Sequence, residues 1–137
     1  MKAITKLIII FIISLMATAC ATTPVTLPEK YNLDNELLEA TEIYNFRIKS
    51  FEPIDYQSLI FQTDVNDYYL IILQRLARSL PFSESIGVTL TVDKVKPGYD
   101  SVVIEDSAGT ESYVIHKIYK LKDHQQAIEI KKRLKTG

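Results

Sequence analysis

The stretch YDSVVIEDSAGTESYVIHKIYKL, residues 99–121, decides the fold class. Two β-branched, aromatic-rich runs, Tyr99–Glu105 and Glu111–Leu121, flank Asp106-Ser107-Ala108-Gly109, where Gly109 can supply positive φ. This reads as an antiparallel hairpin. In the second run the apolar side switches near His116 and Lys117, which predicts a β-bulge there.

Upstream, Val88, Leu90 and Val92 alternate with Thr89, Thr91 and Asp93, the cleanest period-two signal in the chain. Lys96-Pro97-Gly98 is a turn. Tyr44, Phe46 and Ile48 alternate with Asn45, Arg47 and Lys49, giving a first strand that ends before Pro53 and Asp55. Leu59 and Phe61 belong to a second strand, 57–63. Residues 63–67 are a turn. The run 68–73 (YYLIIL) is too short for periodicity to separate strand from helix, but the turn before it and its residue types favour a third strand.

Helical spacing occurs at three places. Asp34 can cap a helix that carries Leu37, Leu38 and Ile43, with Leu33 and Leu38 as a hydrophobic staple. Leu73, Leu76, Ala77 and Leu80 share one face of a short helix stopped by Pro81. Asp123 caps a terminal helix, 123–134, with Ala127, Ile130 and Leu134 on one side. The expected architecture is α+β and mainly β. It is a small antiparallel six-strand barrel or bent sheet, with a short helix between strands three and four and a helix at each end.

The first twenty residues have another purpose. Lys2 and Lys6 precede Leu7–Met16 (LIIIFIISLM), an apolar run of about ten residues where a spanning helix needs roughly 20. Ala17-Thr18-Ala19-Cys20 follows and resembles the lipobox of bacterial lipoproteins, with Ala17 where that motif favours Leu. The resemblance implies cleavage before Cys20 and lipidation of its thiol. Ala21, in place of the Asp that favours inner-membrane retention, implies anchorage on the periplasmic side of the outer membrane. A short uncleaved anchor is the alternative. The expected organisation is a signal peptide at 1–19, the lipidated Cys20 with a flexible linker through residue 33, and one periplasmic domain from 34 to 137. Pro24 and Pro28 favour extended backbone in that linker, whose reach would be up to about 40 Å.

Cys20 is the chain's one cysteine. Its lipidation leaves no thiol for redox chemistry or a thiolate metal site. Removal of Lys2 and Lys6 with the leader leaves 14 basic and 17 acidic side chains, a net charge of −3. The charge is uneven. Residues from His116 onward carry seven Lys or Arg against two acids, whereas residues 20–115 carry seven against fifteen. Lys131, Lys132, Arg133 and Lys135 on the terminal helix are therefore candidates for contact with an anionic membrane or with peptidoglycan. The competing and favoured expectation is that they pair with the acidic body of the same domain or are simply solvated.

Chemistry-bearing constellations are sparse. His116 and His124 lie on different predicted elements without clustered carboxylates, which makes them ordinary side chains before metal ligands. Asp64 and Asp67 lack the rest of a Ca²⁺ loop. Glu36, Glu39 and Glu42 have no oxygen-ligand loop beside them. Asp100, after the Pro97-Gly98 turn, is expected to accept hydrogen bonds from turn amides rather than to act as a general base. No nucleophile elbow or phosphate-cradling loop occurs, so no catalytic residue, metal or cofactor is expected. Nucleic acid is an implausible partner in a periplasmic setting.

The runs Asn66–Leu73, Leu80, Ser85-Ile86-Gly87, Tyr99–Ile104, Ile115 and Ile118–Leu121 resemble a domain-of-unknown-function family of small exported proteins of Gram-negative bacteria. The resemblance covers residues 43–122. It implies a shared fold and no activity. Many members carry a pair of cysteines at the places held here by Ala77 and Tyr113, which implies a disulfide that this chain lacks. The leading functional expectation is a non-catalytic binding or accessory module of the cell envelope, whose partner is another envelope protein or peptidoglycan. Alternatives are a periplasmic enzyme inhibitor, acting through a rigid loop such as 94–99 or 105–111, and a small enzyme with an unrecognised carboxylate site.

Overall fold

The structure is a computed structural model that describes residues 26–44 and 46–137. Its spine is the strand predicted from the opening stretch. β9 (Gly109–Leu121) follows β8 (Ser101–Asp106) through a two-residue turn, with Gly109 at φ +131°. One side of β9 pairs with β5 (Asp67–Leu73). The other side pairs first with β8 and then, at Tyr119 and Lys120, with β1 (Leu38–Glu39). β4 (Ser58–Asp64) joins β5 as a hairpin, β3 (Ser50–Pro53) lies outside β4, and β6 (Ile86–Val88) lies outside β8. The order β3-β4-β5-β9-β8-β6 makes a curled, half-barrel antiparallel sheet. Of the two architectures expected, the bent sheet is the one formed. Pro53 on the edge strand β3 removes an N–H from that edge.

Both faces of this sheet are buried, and the β9 bulge makes that arrangement possible. Ile72 pairs with Lys117, but Leu73 pairs with Ile115, so His116 is the inserted residue. Before it, Tyr113 and Ile115 point to one face; after it, Ile118 does, while Tyr119 and Leu121 point to the other. The parity switch seen in the sequence is this bulge. The first face holds Leu59, Phe61, Ile71, Leu73, Val102 and Ile104 under Ile43, Phe46, Ala77, Leu80 and Val95. The second holds Ile60, Leu70, Ile72, Tyr119 and Leu121 under the terminal helix and residues 27–37.

The terminal helix, α1 (His124–Thr136), forms as its sequence predicts. Asp123 Oδ1 accepts from the Gln126 N–H at 2.9 Å, and Ala127, Ile130 and Leu134 are buried. The helix expected from Asp34 does not form. The chain makes one turn, with Glu36 and Leu37 N–H groups bonding the Leu33 carbonyl, and then enters β1. Asp34 caps nothing local. Its carboxylate accepts from Lys117 Nζ at 2.6 Å and from the Tyr119 hydroxyl at 2.8 Å, so long-range partners outcompete the local cap. These bonds hold its carboxyl below the usual carboxylate range.

The short helix between strands three and four is also absent. Leu73 remains in β5, the Gln74 N–H continues the pairing to the Val114 carbonyl, and the Ala77 N–H bonds the Tyr56 carbonyl. Only a 3-10 turn, Leu80–Phe82, follows. Ala77 and Leu80 are buried as the helical spacing implied, but Leu76 is exposed. Ala77 and Tyr113 lie in the same core cluster.

The expected strand 44–48 is reduced to β2 (Ile43–Tyr44), which pairs with β7 (Lys94–Val95) away from the main sheet. The expected linker through residue 33 is packed from Leu27 onward. A 3-10 turn spans Glu29–Tyr31, and Tyr31 and Leu33 are buried under α1. The Tyr31 hydroxyl and Lys30 Nζ both donate to Asp55 Oδ2, at 2.8 and 2.9 Å. The expected signal peptide at 1–19 and Cys20 lie outside the described residues.

Candidate interaction loop

Residues 89–100 leave β6 and return to β8 as an excursion over the first face of the sheet. Its base is built on Asp100, which is buried. Asp100 Oδ2 accepts from the Lys96 N–H at 2.8 Å, and Oδ1 accepts from the Thr89 and Thr91 hydroxyls at 3.2 and 3.1 Å. Thr89 Oγ1 in turn accepts from the Ser101 N–H at 2.8 Å. The Gly98 N–H bonds the Ile115 carbonyl at 2.7 Å, with Gly98 at φ +83°. The expected role of Asp100 as an acceptor from turn amides is therefore met. A buried carboxylate with its oxygens bonded this way fixes the loop's shape, because breaking any contact strands a desolvated polar group.

What the fixed loop presents is apolar. Thr91 and Lys94 pair across a two-residue turn in which Val92 and Asp93 both have positive φ, +52° and +60°. Such a turn suits Asn or Gly, and a β-branched residue there is strained. Val92 is nonetheless 82% exposed, Leu90 48%, Tyr99 79%, and Tyr44 on the adjoining β2 60%. Lys94 Nζ lies 4.6 Å from the Tyr44 ring centre and pairs with Glu42 at 3.4 Å, and Lys96 lies 5.8 Å from the Tyr99 ring. A cleft of about 380 Å³ lined by Phe46, Arg47, Leu90 and Asp93 adjoins the turn.

The sequence misplaced these residues. Val88, Leu90 and Val92 alternate as a strand should, but β6 ends at Val88 and the other two face solvent. The pair Val92-Asp93 contains no Gly, Asn or Pro to mark a turn, so the pattern alone could not find it. Thr89 and Thr91, which supply the alternation, are spent on Asp100 instead.

The other candidate residues are dispersed. His116 sits in the β9 bulge, and His124 stacks on Tyr68 with ring centres 5.5 Å apart. Asp64 Oδ1 accepts from the Val65 N–H in its hairpin, while Asp67 pairs with Lys120 at 2.6 Å. Glu36, Glu39 and Glu42 diverge to Arg133, Lys117 and Lys94. Among the described residues no group of three or more His, Cys, Asp or Glu side chains comes together to hold a metal. Asp55 gathers the most donors of any carboxylate described above: Lys30, Tyr31 and the N–H groups of Gln57 and Ser58, with the Ser58 hydroxyl. Burial pushes its carboxyl up, and these hydrogen bonds outweigh burial and hold it below the ordinary range.

On α1, Lys131 pairs with Glu52 and Arg133 with Glu36, whereas Lys132 and Lys135 are exposed. The 105–111 hairpin tip is a tight turn in which Asp106 Oδ1 accepts from the Ala108 N–H. It displays no large apolar side chain.

The fold thus defines a mainly-β half-barrel carrying a braced, apolar-tipped loop. A family model described as "Family of unknown function (DUF6491)" matches residues 3–136, and the chain belongs to that family. No curated protein and no solved structure matches the chain.

Proposed function

We propose that this protein is a non-catalytic binding module of the Gram-negative cell envelope, lipid-anchored through Cys20 on the periplasmic side of the outer membrane. Its contact element is the 89–100 loop. The observation that carries the reading is the pairing of a fixed base with exposed apolar side chains. A solvent-facing Val92 at positive φ costs about 1–2 kcal/mol and contributes no packing of its own. Rigid apolar anchors that need no ordering on contact are what protein recognition rewards. The partner is another envelope protein with a complementary apolar cleft.

The test is crosslinking in cells from a photoreactive group at Tyr99, with the same group at Ser107 as a control on the other hairpin. One protein captured from Tyr99 and not from Ser107 is the expected result. Equal backgrounds from both positions would remove the loop from consideration. The inhibitor reading draws on the same rigidity and is separated by the captured partner's identity: an enzyme whose activity the purified protein blocks would establish it. A lipid label absent from wild type, or retained in Cys20→Ser, would sink the anchor.

A further inference from the structure

The two faces of the sheet assign the two ends of the proposed anchorage. Residues 27–37 cross the second face, packed against α1 through Tyr31, Leu33 and Leu37. Lys30 Nζ reaches the Leu134 carbonyl at 3.4 Å, and Arg133 pairs with Glu36 at 2.7 Å. The start of the packed chain therefore lies beside the basic C-terminal end of α1. The 89–100 loop belongs to the opposite face, where Val95 and its β2 partner Ile43 are buried in the first cluster.

Chain length limits how far that arrangement can stand from an anchor. Six residues separate Cys20 from Leu27, and a chain of that length spans at most roughly 25 Å. That is shorter than the reach of a linker extending to residue 33. The second face is also chemically suited to a headgroup layer. Ile128 is an exposed apolar side chain on α1, and Lys132 and Lys135 are exposed cations on the same helix. Apolar groups beside cations are the composition of surfaces that rest on anionic lipid. Lys30, Lys131 and Arg133 are engaged with Asp55, Glu52 and Glu36, so lipidation supplies the affinity and this face supplies the orientation.

We infer that the face covered by α1 and residues 27–37 lies against an anionic phospholipid surface, which turns the 89–100 loop away from the membrane toward its partner. This rests on the proposed lipidation of Cys20. With that thiol acylated, single added cysteines can report orientation in the full-length protein. Fluorophores at Lys132→Cys and at Val92→Cys would be compared in vesicles of phosphatidylethanolamine and phosphatidylglycerol that carry a headgroup quencher. Loss of fluorescence at the first position and none at the second is expected. Tyr99→Cys serves as a second loop position should the tip variant misfold.

Intact mass is measured on the same samples. Acylated protein with equal quenching at both positions, or stronger quenching at the loop, overturns the orientation and leaves the anchor standing. Protein without acyl mass overturns both.

Discussion

Val92 shows how a residue can satisfy a pattern and violate a conformation. Its place in the Val88-Leu90-Val92 alternation is that of a strand core, yet it sits at φ +52° and faces solvent. Replacement by Asn, which tolerates that region, should raise stability by about 1 kcal/mol in urea unfolding while weakening capture from the loop. A stability gain with capture unchanged would mean that the strain is unrelated to binding. Asp55 offers a second measurement. Its ordinary value is 3.8 and folding lowers it, so the folded state gives up that proton more readily than the unfolded chain. Its contribution is complete above about pH 5 and is lost as pH falls through 4 and below. Asp55→Asn should cost roughly 2 kcal/mol at pH 7. The gap from wild type should narrow by pH 3 in parallel urea titrations. Neither role was visible in the sequence, because the donors to Asp55 include Lys30 and Tyr31, 25 and 24 residues away.

Among the elements, the long hairpin and the capped terminal helix were legible because their signals are local. Gly109, the His116 parity switch and Asp123 each act within a few residues of themselves. The two helices that failed were read from equally local spacing, but tertiary demands prevailed. Asp34 is held by Lys117 and Tyr119, and the backbone after Leu73 is drawn to Val114 and Tyr56. Residue type and burial were right at Leu33, Leu37, Ala77 and Leu80 even where the element was wrong. The bulge gives the sharpest test at this scale. Deleting His116 would make the ladder regular and leave Ile118, Tyr119 and Leu121 on their present faces, because Ile72 already pairs with Lys117 and Leu73 with Ile115. A cooperative unfolding transition should therefore survive the deletion, and its loss would show that the local bend of the bulge is itself required. His116→Ala, which keeps the bulge, should change stability by less than about 1 kcal/mol.

For the whole molecule, the two-faced sheet changes what the terminal helix is for. Its basic residues drew attention in the sequence, but its apolar side closes a core with Ile60, Leu70, Ile72 and Tyr119. Removing residues 123–137 should therefore expose that face and cause aggregation, detectable by light scattering, instead of merely weakening membrane contact. Lys132→Ala with Lys135→Ala leaves the core intact and tests the charges alone; a small loss of vesicle association is expected. β9 has one further consequence. It is the partner of β5, β8 and β1, and it is the last of the strands in sequence. During synthesis β3, β4 and β5 can pair among themselves, as can β6 and β8, but only β9 joins the two groups, so the sheet closes after its last strand is made. Until then the sheet stays divided, the condition in which a polypeptide can be threaded through a narrow channel before it folds.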